Sequence, residues 1–348
     1  MGQVVYTAEG AIAPAELGVT QAHEHFFSDI SFLTAPSTDP AELHYYEEAV
    51  GTDNYAWVHS HATCNRSNGI LTEEQLAITD YSPLKELGVE AVVDCSPRWA
   101  AFNPTAVRHV ARQLGLKVVL GTGYYTVGSV EDSQVPASPE AVAEELLRDL
   151  LEGFPEADFR AGFIGEIGTS FPLAGFEQRV LHGACLAQQQ TDACLFIHPG
   201  YSPEAPKFVS DFAERHGADP TRVVLCHSDS RLQEDLEMVC QLAKRGFYIA
   251  YDTFGRQRYN PLSPRQHPND AQRIKWLRQI ADAGFLDRIH ISTDVCWRTE
   301  LACYGGYGRK HLFENILPAM REAGFAEQEI QTIVVDNPAR ALARPESS

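Results

Sequence analysis

The sequence reads as an α/β chain: a (β/α)8 TIM barrel with a short N-terminal β-hairpin and a helical and loop insertion after strand 1. Three observations predict this. Eight short apolar, β-rich runs recur along the chain. Amphipathic helix-like stretches lie between them, as parallel strands with crossover helices require. The length of 348 residues holds eight such units without a second domain, so residues 1–348 are read as a single domain. A doubly wound open sheet is the structural alternative. It would normally carry a glycine-rich phosphate loop after its first strand, where this chain has histidines.

"QVVYTAEGAIAPAELG" alternates, turns at Glu9-Gly10 and alternates again, which predicts the hairpin. The strand runs are "GVTQAHEHFF", "VEAVVDCSP", "KVVLGTGYYT", "AGFIGEIGTS", "ACLFIHPG", "RVVLCHSD", "FYIAYDTFG" and "IHISTD". Among the helical stretches, "SPEAVAEELLRDLLEGF" opens with Ser-Pro and an acidic first turn, a helix-start signal. Residues 28–86 are too long for one connection between a strand and a helix, and are expected to cap the barrel mouth.

Charge and composition exclude several functions. A net charge of −19 argues against nucleic acid and anionic membrane surfaces, both of which call for basic patches. No run approaches a membrane span, and the N-terminus lacks the pattern of a secretory signal. The eight cysteines lack C-x-x-C spacing, and several sit in apolar strand runs. They read as free thiols in a reducing compartment, so a cytoplasmic location is expected.

In a barrel of this kind, side chains at the C-terminal strand ends face the active site. Strand 1 ends in His23 and His25, strand 4 in Glu166, strand 5 in His198, strand 6 in His227 and strand 8 in Asp294. Each one alone has a packing or capping explanation. Six ligand-type residues at five equivalent positions do not, because an unpartnered buried histidine or carboxylate is costly. Four histidines and two carboxylates suit two divalent ions, Zn2+ first, with Mn2+, Co2+ or Fe2+ as alternatives. His23, His25 and Asp294 would hold one ion, His198 and His227 the other, and Glu166 would bridge them. The chemistry such a pair supplies is hydrolysis by an activated water, with Asp294 as proton acceptor. Glu24 points away from its flanking histidines and reads as structural. The pair His59 and His61 lies inside the insertion, off any strand end, and reads as structural or as part of the entrance.

At these residues the chain resembles the phosphotriesterase family of the amidohydrolase superfamily, specifically its phosphotriesterase-related branch. The likeness extends through "GTGYY", "GFIGEIGTSFPL", "IHPG", "CHSD", "YDTFG" and "STDVCWRTELACYGGYGRKHLFENILPAM" to "IVVDNPARAL". It implies a metal-dependent barrel hydrolase in which the six residues above are the ligands, acting on a small molecule, with pairing of two chains common. Many members bridge their metals with a carboxylated lysine. Here Glu166 in "GEIG" stands at that place, as in the related branch. Two departures fall in substrate-facing loops: Phe102-Asn103 replaces an Arg-Asp, and Thr253 stands where lactonase-like members carry arginine.

Members of the family cleave phosphotriesters, lactones, carboxylic esters and N-acyl amides. Arg98, Arg256, Arg258 and Arg298 follow strands and suit an anionic group, although each could equally be an ordinary paired arginine. Tyr124, Tyr125, Phe254 and Trp297 could form an apolar wall with a hydroxyl donor, or could equally be core. The expectation is a small anionic acyl compound cleaved at an ester, lactone or amide bond. Phosphotriester hydrolysis is the runner-up, and a non-catalytic metal- or ligand-binding barrel is the alternative of a different class.

Overall fold

The computed structural model describes residues 2–263 and 265–346. Eight strands pair side by side in parallel, in chain order. They are β1 (Thr20–Glu24), β2 (Ala91–Asp94), β3 (Lys117–Thr122), β4 (Phe163–Gly168), β5 (Leu195–His198), β6 (Val223–Leu225), β7 (Tyr248–Tyr251) and β8 (Ile289–Ile291). Ser292, just past β8, brings the ring round to β1: its Oγ accepts from the His23 N–H at 3.1 Å and lies 2.7 Å from the His23 carbonyl.

The crossover helices follow the start and stop signals of the sequence. The helix α1 (Pro104–Leu114) has proline in its first turn, and the Asn103 side chain accepts the Ala106 N–H. It buries Val107, Val110 and Ala111 against the barrel and ends at Gly115, whose φ of 66° gives the left-handed C-cap. Burying one such valine is worth about 1.5–3 kcal/mol. The helix α2 (Pro139–Leu151) starts at the predicted Ser-Pro, with Ser138 accepting from Ala141.

Val93, Phe163, Phe196, Val224 and Tyr248 share one core cluster with Val5 and Leu17 of the N-terminal segment and Ala341 and Leu342 of the C-terminal one. The predicted hairpin, Gln3–Thr7 with Gly10–Ile12, is present and gains a third strand, Arg344–Pro345. The insertion divides in two. Residues 28–73 form short helices and a two-stranded ribbon, of which Ser28, Ile30, Leu33 and Thr63 line the cavity over the strand ends. Glu74–Tyr81 and Pro83–Glu86 are the helices that cross from β1 to β2. No helix among the described residues is long and apolar enough to cross a membrane.

Candidate metal centre

Every side chain of the expected ligand set is buried, and all six meet at the C-terminal ends of the strands. His25 Nε2 lies 3.1 Å from Asp294 Oδ1, and His23 Nε2 lies 3.7 Å from the same oxygen. Glu166 Oε1 is 3.1 Å from His227 Nε2, 3.3 Å from His198 Nδ1 and 3.8 Å from His23 Nε2. His198 Nδ1 and His227 Nε2 are 3.0 Å apart. Among the described residues, three groups of three fall within coordinating reach of an ion; two consist of expected ligands, His23 with His25 and Asp294, and His23 with Glu166 and His227, and the third joins His23 to Cys226 and Asp252. Glu166 therefore sits between the two histidine sets.

Local backbone irregularities aim these groups. Register shifts interrupt the β1–β2 pairing between Gln21 and Glu24, and the β4–β5 pairing between Ile164 and Ile167. Such bulges redirect a side chain, and the second one carries Glu166. Gly165 precedes it at φ 133°, with a Cβ position only 2.8 Å from the Phe196 carbonyl oxygen, so no larger residue fits there. His227 and Asp294 adopt φ values of 53° and 46°. Left-handed backbone at non-glycine residues persists where the surroundings enforce it, and it concentrates at functional sites.

Much of that enforcement comes from buried carboxylates outside the ligand set. Glu24 accepts from Thr293 N–H at 3.0 Å, from Asp294 and Val295 N–H at 3.2 Å each and from Gln21 Nε2 at 2.7 Å. It also pairs with buried Arg309 at 3.4 Å. Asp252, the residue after β7, faces two histidines at once. Its Oδ1 lies 2.8 Å from His227 Nδ1 and its Oδ2 lies 3.0 Å from His23 Nδ1. This turns both Nε2 atoms toward the cluster, the usual way a carboxylate sets the tautomer of a liganding histidine. Arg256 holds the outer side of Asp294: its Nη1 donates to Oδ2 at 2.9 Å, and its Nε donates to Glu300 at 2.6 Å.

The donor set fits divalent metal. His23 Nε2 is buried without a hydrogen-bond partner. Its 3.7–3.8 Å spacing to two carboxylate oxygens is too long for a hydrogen bond, yet close to the roughly 3–4 Å that separates ligands of one ion with bonds of about 2 Å. Burial works to raise the Glu166 carboxyl, but the surrounding His198, His227 and His23 hold it well below the usual carboxylate range. Burial pushes His198 down to about 4.

The six expected substrate residues separate. Tyr125, Arg256 and Trp297 line the cavity, with the Tyr125 hydroxyl 3.3 Å from His198 Nδ1. Arg256, however, spends its donors on Asp294, Glu300 and Cys296, so it positions the carboxylate. Arg98 pairs with Asp149, and Tyr124 donates to Glu145 on the helix side of the strands. Arg298 anchors the insertion through Glu73 and the carbonyls of Ser67 and Ile70. These three lie off the cavity because their charges and hydroxyl have partners elsewhere. Phe254 is core, beneath Arg273. His59 and His61 stack on Tyr55 and Trp57 within the insertion. Of the two departures in the loops, Asn103 is a helix cap, and Thr253 is tied to Asp229 and Arg273.

Asp252, Arg231, Glu300 and His267 escaped the sequence reading. Asp252 had a signal of the same kind as the ligands, since it follows the apolar run "YIAY". Arg231 stands four residues beyond His227 on a short helix, Ser228–Arg231, which carries no separate mark in the sequence.

The phosphotriesterase family model matches residues 3–342. The chain belongs to the phosphotriesterase family. It is 29% identical to an N-acetyltaurine hydrolase of Dictyostelium discoideum and 30% identical to one of Xenopus tropicalis, each over 97% of both chains. Among solved structures, a resiniferatoxin-binding protein from Rhodobacter sphaeroides superposes with a TM-score of 0.93 at 30% identity, covering 97% of this chain and 94% of that one. The chain is thus a hydrolase of this family, and its buried histidine and carboxylate groups could hold metal.

Proposed function

We propose that the protein is a binuclear metal-dependent hydrolase that cleaves an N-acyl amide of a small amine bearing an anionic group. Esters and lactones of similar size are secondary substrates. The observation that carries this reading is the convergence of four histidines and two carboxylates at five strand ends, where His25, Glu166, His198, His227 and Asp294 line one cavity and His23 lies against them. The space between the lining atoms, open mouth included, is about 860 Å³, a size suited to a small molecule. The amide preference is supported by the relatives named as N-acetyltaurine hydrolases at 97% mutual coverage.

His23, His25 and Asp294 would hold one ion, His198 and His227 the second, with Glu166 between them and zinc as the first choice. When bound, the ions supply an activated water and a Lewis acid for the scissile carbonyl. The chain does the rest. Asp294, fixed by Arg256 at Oδ2 and facing the histidines at Oδ1, accepts the proton of the attacking water and passes it to the leaving nitrogen. Tyr125 offers its hydroxyl as a donor beside His198. Ile30, Leu33 and Trp297 give the acyl group an apolar wall and keep water from it. The same reading takes residues 1–348 as one catalytic domain, places it in the cytoplasm with its cysteines unpaired, and expects two chains to pair in solution.

The test is a hydrolysis panel of N-acyl amino acids, N-acyl aminosulfonates, esters, lactones and phosphotriesters on metal-loaded and chelator-stripped protein. The reading expects anionic amides to turn over best and all activity to vanish on stripping. Preferred turnover of phosphotriesters, or activity indifferent to chelation, contradicts it.

A further inference from the structure

Two charged side chains of the cavity, Arg231 and Arg258, have no role in the scheme above. Arg231 lines the cavity and is only 5% exposed. Its Nε donates to the Pro199 and Gly200 carbonyls at 3.1 Å each, and its Nη1 donates to Ser230 Oγ at 2.7 Å. Tyr201 covers its flat face at 4.0 Å. No carboxylate among the described residues forms an ion pair with it. A buried guanidinium without a counter-ion is costly, and an anion entering the cavity would offset that cost.

Its neighbours point the same way. Arg258, 8% exposed, shares Glu300 with Arg256 and leaves its own Nε buried without a partner. His267 also lines the cavity, and its Nδ1 is unpartnered. Burial, reinforced by Arg258 and Arg256, pushes His267 down to about 2, so at neutral pH it is an uncharged hydrogen-bonding group. A smaller cavity adjoins this wall, sharing Arg231, Asn260 and His267 and adding Arg265. In a chain of net charge −19, such a local concentration of cations draws an anion to one place.

We propose that Arg231 and Arg258, with His267 beside them, form the subsite that binds the sulfonate or carboxylate of the substrate, and that Arg231 determines specificity for it. Only the location of the bond to be cleaved rests on the hydrolase reading; the anion subsite stands on the cavity itself.

Calorimetric titration of the metal-loaded protein with ethanesulfonate, and with its uncharged analogue ethanesulfonamide, tests the subsite. Arg231→Gln should weaken ethanesulfonate about tenfold or more, the scale of a lost charge-assisted hydrogen bond. Because that variant also gives up bonds to the loop after β5, Asn260→Asp serves as the second probe. It keeps the oxygen that accepts the Leu262 N–H at 2.9 Å and adds a negative charge to the wall. It should weaken ethanesulfonate about three- to tenfold, while ethanesulfonamide is unaffected. Equal binding of the two probes to the wild type, or unchanged ethanesulfonate affinity in both variants, overturns the proposal. So does binding that persists in Arg231→Gln but disappears when metal is stripped, since the anion then sits on the metal. Sulfonate binding with the predicted dependences, but no amide cleaved, upholds the subsite and removes the hydrolytic reading instead.

Discussion

The floor of the cavity is built from strand ends, whereas its cationic wall is built from the segments that follow β6 and β7. On the floor, each side chain takes its position from a barrel strand, and buried carboxylates such as Glu24 and Asp252 fix its direction. On the wall, Arg231, Arg258 and His267 come from a short helix and an irregular stretch, and two of the three keep an unpartnered buried nitrogen. Of the six ligand-type residues on the floor, His23 keeps its Nε2 without a hydrogen-bond partner, where metal is expected; on the wall, Arg258 Nε and His267 Nδ1 are unpartnered. On the proposed function, chemistry belongs to the rigid part and substrate choice to a part that loops can vary.

Substitutions on the floor should break function or fold. Asp294→Asn keeps the shape but loses the proton acceptor. It should lower kcat by about 10²–10⁴-fold with metal content retained, as a turnover assay beside metal analysis would record. A loss confined to KM would remove Asp294 from the proton path. Glu24→Leu strips the Thr293–Val295 backbone of its acceptor and leaves Arg309 with Asp80 as its one counter-ion among the described residues. It should cost about 3–5 kcal/mol in a denaturant titration; a shift below about 1 kcal/mol would show that the loop holds Asp294 without it. Asp252→Asn releases the constraint on His23 and His227 together. Metal affinity, measured by chelator competition, should fall about 10–100-fold with little change in stability. If affinity is unchanged, the two histidines are oriented by packing alone.

The contrast between floor and wall also explains what the sequence could convey. That the six residues meet at the mouth is legible because barrel geometry repeats: an apolar run ending in His, Glu or Asp places that side chain there five times over. Asp252 obeys the same rule but faces the Nδ1 sides of His23 and His227 from behind, a distinction of depth that period-two alternation does not encode. The wall was read poorly. Four arginines after strands looked alike in sequence, yet Arg98 and Arg298 found carboxylates outside the cavity, Arg256 turned to Asp294, and Arg258, which lines the cavity, keeps its Nε unpartnered. Pairing between distant segments decides such cases. Arg231–Pro199 spans 32 positions and Arg298–Glu73 spans 225, beyond the reach of local pattern.

The most direct test of the account is the metal content of the purified chain, measured for the wild type and for Glu166→Gln under the same loading conditions. The account predicts about two divalent ions per chain in the wild type, and loss of at least one when the carboxylate between the two histidine sets becomes an amide. A wild-type chain without stoichiometric metal, or a Glu166→Gln chain that keeps both ions at full occupancy, would contradict it.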